Sequence, residues 1–154
     1  MSNAKEYLQK IRLYDSRINN SLKELSDLED MVLRITPVLK DDVVSSSGSQ
    51  DKLGDTVAKI CDLKAQINRD IDCYIDLKRE AVDKLKKVEK TEYYDILHKR
   101  YVEFQSLEQI AVSMNYTYRW IRRLHGRALQ AFEKVMNECE GVETSPFNSS
   151  KNDV

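Results

Sequence analysis

Apolar residues near the start of the chain recur at steps that alternate between three and four: Leu8, Ile11, Ile18, Leu22, Leu25 and Val32, with Asp15 and Glu29 interrupting the row. That spacing keeps one stripe of a helix facing a partner helix over several turns, as in a coiled coil. Leu28 and Ile35 widen the stripe, so this helix is expected to meet more than one neighbour. Pro37 disfavours a helical conformation at Thr36 and predicts that the helix ends or kinks there. Residues 41–52 hold a serine cluster around Gly48 with no apolar period, which predicts a mobile loop.

A second stripe follows: Leu53, Val57, Ile60, Ile67, Ile71, Tyr74, Ala81, Leu85 and Val88. Lys64 and Lys78 share its seam, where their stems pack while their ammonium groups reach water. Each stripe spans roughly 35 residues, or about 50 Å of helix. Two such helices joined by a loop of about a dozen residues fold back as a long antiparallel hairpin. Asp15 and Glu29 stand where they would pair with Lys64 and Lys78 and fix the register. One partner helix does not cover either stripe, so the hairpin is expected to associate with further copies of itself.

Past Lys90 the period changes. Thr91 is placed to cap a helix through Tyr93, Ile96, Leu97, Tyr101 and Val102, which Glu103-Phe104-Gln105 breaks. Ser106 with Gln109 three residues on forms a capping box, each side chain satisfying an otherwise unpaired backbone donor. After Asn137 the mixture of Glu, Ser, Asn, Gly and Pro lacks periodicity and predicts disorder. The predicted fold is all-α: a coiled-coil-like antiparallel helical hairpin over 1–90 for oligomerisation or interaction, a helix-turn-helix domain over 91–137 and a disordered tail over 138–154.

Composition agrees with long solvated helices. Of 154 residues a third are charged, while glycine and proline number four and two. The net charge of −1 supplies no global attraction to a polyanion, so any nucleic-acid contact must rest on local charge. Residues 1–90 carry 17 Lys/Arg against 17 Asp/Glu, residues 91–137 seven against five, and residues 138–154 one against four. Most of the positive excess falls between Arg119 and Arg127.

Cys61, Cys73 and Cys139 are odd in number and fit no zinc spacing, and His98 and His125 do not complete one, so free intracellular thiols and no metal are expected. There is no glycine-rich phosphate loop, no His-carboxylate-Ser set and no carboxylate pair of catalytic type, which points away from an enzyme and from a cofactor. No apolar run reaches membrane-spanning length, and the start lacks a secretory pattern, so a cytoplasmic protein without membrane partners is expected.

Residues 107–124 have the pattern of a helix-turn-helix, in which two helices packed around a tight turn need a small residue at their closest approach. Ala111 is that residue, and Ile110, Tyr116, Ile121 and Leu124 fall at the shared core positions. Asn115 takes the turn position that needs a left-handed backbone, and Thr117 is the N-cap of the second helix. In the second helix, residues 117–132, Ile121, Leu124, Ala128 and Phe132 face inward. Tyr118, Arg119, Arg122 and Arg123 project from the other side near the N-terminus, where a recognition helix meets base edges in the major groove. Arginine suits that task because its fork donates two hydrogen bonds to guanine. The Ser106 and Thr117 hydroxyls are candidates for phosphate, and Arg127 for phosphate or a protein partner. Trp120 is expected to pack on the 93–102 helix, and His125 to lie at the surface or face phosphate.

The run Leu97-His98-Lys99-Arg100-Tyr101, followed by Ser106-Leu107-Glu108-Gln109-Ile110-Ala111 and by residues 117–129, resembles region four of bacterial sigma factors, which reads a promoter's upstream element. Over most of its length the chain is similar to small phage and prophage proteins that join a helical hairpin to such a domain, a group including ArpU-type and RinA-type late-gene transcriptional regulators. Ser47-Gly48-Ser49-Gln50-Asp51-Lys52 and the segment from Trp120 to Ala128 carry that second likeness. The resemblance implies a sequence-specific regulator that binds double-stranded DNA through Tyr118, Arg119, Arg122 and Arg123. It also places Arg127 at a position that sigma factors use toward activators; a homo-oligomer through the hairpin and RNA polymerase as a further partner are expected besides. Asn115 replaces the usual turn glycine, Arg119 a frequent acidic residue and Gly126 a common alanine. Sigma regions that melt promoter DNA have no counterpart. The alternative is an interaction or assembly protein that docks on RNA polymerase or a DNA-packaging component without reading DNA.

Overall fold

The computed structural model describes residues 3–41 and 47–142, with the backbone alone for 37–41, 47–50 and 142. All regular structure among the described residues is helical: α1 (Asn3–Asp41), α2 (Ser47–Leu85), α3 (Thr91–Leu97) continuing into a π-helical turn (His98–Val102), α4 (Leu107–Met114) and α5 (Tyr118–Val142). The all-α class follows. Two compact units divide the chain, Ile11–Leu77 and a unit joining Met1–Lys10 to Lys78–Val154. The second unit therefore takes in residues from both sides of Lys90.

In the Ile11–Leu77 unit the seam positions Ile18 and Ile67 are buried. Two ion pairs show that α1 and α2 run antiparallel here: Arg17 Nε lies 3.2 Å from Asp70 Oδ2, and Lys64 Nζ lies 3.0 Å from Glu29 Oε1. The second joins residues that the seam pattern had paired; the first joins an exposed guanidinium to a buried carboxylate the pattern passed over. Asp70 Oδ1 also accepts from the Gln66 amide at 3.0 Å. Leu22 and Val57, predicted seam residues, stay exposed, as do Leu13, Met31, Leu33 and Ile75.

Three boundaries differ from expectation. Helix α1 runs past Pro37 to Asp41. A proline removes one backbone donor, and the turn before it is held by Thr36 Oγ1 donating to Val32 O at 2.7 Å. Helix α2 begins at Ser47, so residues 47–52 are helical and not loop; Asp51 and Lys52 are exposed, and a solvated helix end needs no apolar period. Of the expected loop, residues 42–46 lie outside the described residues. Thr91 is the first residue of α3 and not its cap, since Lys90 takes the extended N-cap conformation.

The other unit has a core of Leu8, Leu85, Ile96, Leu97, Ile110, Ile121 and Phe132, all fully buried. The first turns of α1 belong to it. The Tyr7 ring lies 6.1 Å from that of Phe132, and its hydroxyl donates to Glu80 Oε1 at 2.9 Å. The Ala4 N–H reaches Glu133 Oε2 at 3.4 Å. After α3 the helix widens into a π turn, closed by Glu103 N–H on His98 O at 3.0 Å, which buries Tyr101 and Val102. Phe104 then stops it with φ 59°.

Candidate nucleic-acid interface

The segment from Ser106 to Ile121 is held by local hydrogen bonds that its residue types dictate. Ser106 Oγ accepts from Gln109 N–H at 3.2 Å, and Gln109 Oε1 accepts from Ser106 N–H at 2.9 Å, so both halves of the capping box form. At the other end of α4, Asn115 is left-handed with φ 59° and ψ 37°. Tyr116 N–H returns to Ala111 O at 3.0 Å and Asn115 N–H to Val112 O at 3.3 Å, the paired bonds of a Schellman stop. Thr117 Oγ1 then accepts from Trp120 N–H at 3.2 Å, capping α5.

Helix α5 carries two stripes on opposite sides. Ile121, Leu124, Ala128, Phe132 and Val135 follow one another at steps of three and four and are buried. Arg119, Arg123, Arg127, Gln130 and Lys134 follow at the same steps two residues out of phase, and all are exposed. Arg122 flanks that outer stripe and is exposed as well. The next residue on the stripe, Glu138, brings its first carboxylate. Helix α5 is 25 residues long, ten beyond the end expected at Phe132. Residues 138–142, expected to be disordered, are therefore helical; residues 143–154 lie outside the described residues.

The expected contact residues fall in two places. Tyr118, Arg119, Arg122 and Arg123 share the exposed first two turns of α5, with the Arg122 guanidinium 5.9 Å from the Tyr118 ring centre. Among the described residues, none of Arg119, Arg122, Arg123 and Arg127 forms an ion pair with a carboxylate. Thr117 adjoins this group. Ser106 does not: it caps the start of α4, whose eight residues put about 12 Å between it and the turn, so one phosphate cannot take both hydroxyls.

Three side chains are not where the pattern put them. Tyr116 is exposed instead of joining the core, its hydroxyl donating to Glu92 Oε1 at 2.9 Å; that acceptor raises the pKa of the phenol. Trp120 is also exposed, with the Arg127 guanidinium 5.7 Å from its ring centre. The Tyr116 hydroxyl thus reaches α3 at Glu92, while the Trp120 ring lies against a side chain of its own helix. His125 is largely buried, with Nε2 2.9 Å from the Tyr101 hydroxyl and the two rings stacked at 5.7 Å. Burial first, then Arg100 and Lys5, pushes its pKa down to about 4. The same burial pushes Tyr101 up to about 12. His125 is therefore neutral at pH 7 and does not face phosphate.

Beside the outer stripe, the segment from Lys87 to Tyr93 and the flank of α5 enclose a groove of about 400 Å³. Lys87, Lys90 and Lys134 line it and were not expected to take part. The step from Arg127 to Lys134 is two full turns, a signal that counting past Phe132 would have found. Among the described residues no three His, Cys, Asp or Glu side chains gather as a metal ion would require, and no helix is long and apolar enough to cross a membrane. No family model, curated protein or solved structure matches the chain.

Proposed function

We propose that the protein is a sequence-specific, double-stranded DNA-binding transcriptional regulator of phage or prophage type, working in the cytoplasm, with the first turns of α5 in the major groove. One observation carries this reading. Arg119, Arg122 and Arg123 stand exposed on one side of a capped helix N-terminus, unclaimed by any described carboxylate, while the other side is buried. Free guanidinium groups ahead of a positive helix end suit base edges between two rows of phosphate. Helices α1 and α2 contribute self-association, which would set two such helices on repeated half-sites and raise affinity without new contacts. The exposed Leu13 and Met31, five full turns apart on α1, share one face that favours such an apolar interface.

The test is a mobility-shift assay at fixed salt on a duplex selected from a random pool. The paired change Arg122→Ala and Arg123→Ala is expected to abolish preference for the selected site. Intact specific binding by that variant would refute the reading. The same exposed apolar residues favour a second one, an assembly protein docking on RNA polymerase or a packaging component. That reading is supported by absence of DNA affinity at about 50 mM salt, where phosphate contacts are strongest, combined with direct binding to one of those purified proteins.

A further inference from the structure

We infer that the groove between the Lys87 to Tyr93 segment and α5 holds the phosphate backbone of one DNA strand, as a second contact surface beside the base-reading turns. The inference rests on the DNA-binding reading. Four cations line the groove, Lys87, Lys90, Arg127 and Lys134, against two carboxylates, Glu89 and Glu138. An excess of two positive charges in a concave site about 400 Å³ in size suits a polyanion.

Position decides which polyanion. Arg127 and Lys134 belong both to the groove and to the outer stripe that continues Arg119 and Arg123, so the surface is continuous with the arginine face. A helix about 10–12 Å across fills a major groove about 12 Å wide, which brings a sugar-phosphate strand along each flank of the helix. The α5 side of the groove begins at Arg127, one turn past Arg123, where the helix leaves the bases and meets a flanking strand. Its cations are presented by more than chance solvation. Lys90 Nζ sits 5.2 Å from the Tyr93 ring centre, and Lys87 Nζ lies 3.6 Å from Cys139 Sγ. None of Lys87, Lys90 and Lys134 forms an ion pair with a carboxylate among the described residues.

The experiment measures the affinity of the full chain for the selected duplex between about 50 and 200 mM salt. Removing one cation from a phosphate lowers the slope of log affinity against log salt by about 0.9. The triple variant Lys87→Gln, Lys90→Gln, Lys134→Gln is expected to lose about 2 to 3 from that slope and to keep the same sequence preference, because phosphate contacts carry no base information. A second variant, Glu89→Gln with Glu138→Gln, removes the opposing charges and is expected to bind about threefold or more tighter at 150 mM salt, a gain that a folding defect does not produce. An unchanged slope in the triple variant overturns the inference while leaving the arginine face in place; so does unchanged affinity in the Glu variant. If the native chain binds no duplex at any salt, the DNA-binding reading fails and the groove assignment with it.

Discussion

Tyr101 and His125 are stacked with their rings 26° apart and bonded through hydroxyl and Nε2 at 2.9 Å, joining the π turn after α3 to the middle of α5. The imidazole is held neutral, its pKa pushed down to about 4 by burial and by the Arg100 and Lys5 charges. In the unfolded chain histidine titrates near about 6.5. Between those values the unfolded state binds a proton that the folded state refuses, so stability rises with pH across that window. The contribution is complete above about pH 7 and is lost as pH falls toward 4, an effect of about 2 kcal/mol after allowance for partial solvent access. Urea unfolding at pH 4.5 and 7.5, compared with His125→Gln, measures it. The variant should lose most of this pH dependence.

Arg17 and Asp70 form an uneven pair, the carboxylate buried and the guanidinium exposed. Removing the cation leaves the buried charge with the Gln66 amide alone among its described partners. Arg17→Ala is expected to destabilise by about 1–3 kcal/mol. Replacing both, Arg17→Met with Asp70→Leu, should recover most of that, because the desolvation cost goes with the charge. Thermal melts of the two variants decide it, and equal losses would show that the pair does not act as one.

Gly126 lies on the outer side of α5 between Arg122 and Arg127, in ordinary helical conformation, and a Cβ built on it meets nothing within 4 Å. The fold makes no demand for glycine there. Gly126→Ala is therefore expected to stabilise by about 0.5–1 kcal/mol, the helix-propensity difference. A rise in denaturant midpoint at unchanged slope is the expected signature.

The cap and the turn are separable. Ser106→Ala deletes the Gln109 N–H acceptor and is expected to cost about 1 kcal/mol. Asn115→Ala meets the left-handed backbone with a residue that resists it, at about 1 kcal/mol, whereas Asn115→Gly should cost nothing or gain slightly. Melting temperatures in the order Gly, Asn, Ala at position 115 are the expected result.

For the proposed contacts, Arg119→Ala, Arg122→Ala and Arg123→Ala should each lower discrimination between selected and scrambled duplex by about 1–3 kcal/mol, if each makes a bidentate base contact. Arg127→Ala should instead weaken both duplexes alike. Competition binding with the two duplexes separates the outcomes.

What could be read from residues alone divides along physical lines. The capping box, the Asn115 turn and the buried Ile110, Ala111, Ile121 and Leu124 depend on bonds and packing spanning a few residues, and their signals are local. Heptad spacing placed buried Ile18 and Ile67, but Leu22 and Val57 show that periodicity names a face and not how much of it is covered. Tyr116 and His125 went astray for a shared reason. Their surroundings are set by other segments, Glu92 for Tyr116 and Tyr101 for His125, each 24 residues away. The π turn has no sequence signature of its own, and the helical residues 47–52 and 138–142 show that polarity marks exposure better than it marks the absence of a helix.

The first turns of α1 pack with α5, as the Ala4 bond to Glu133 across 129 positions illustrates. Such an arrangement has a kinetic price. The Tyr7 ring must wait for Phe132 to be made before the two can meet, and closing so large a loop slows the search for the native state. Until then the apolar start of α1, with Leu8, stays uncovered in the growing chain.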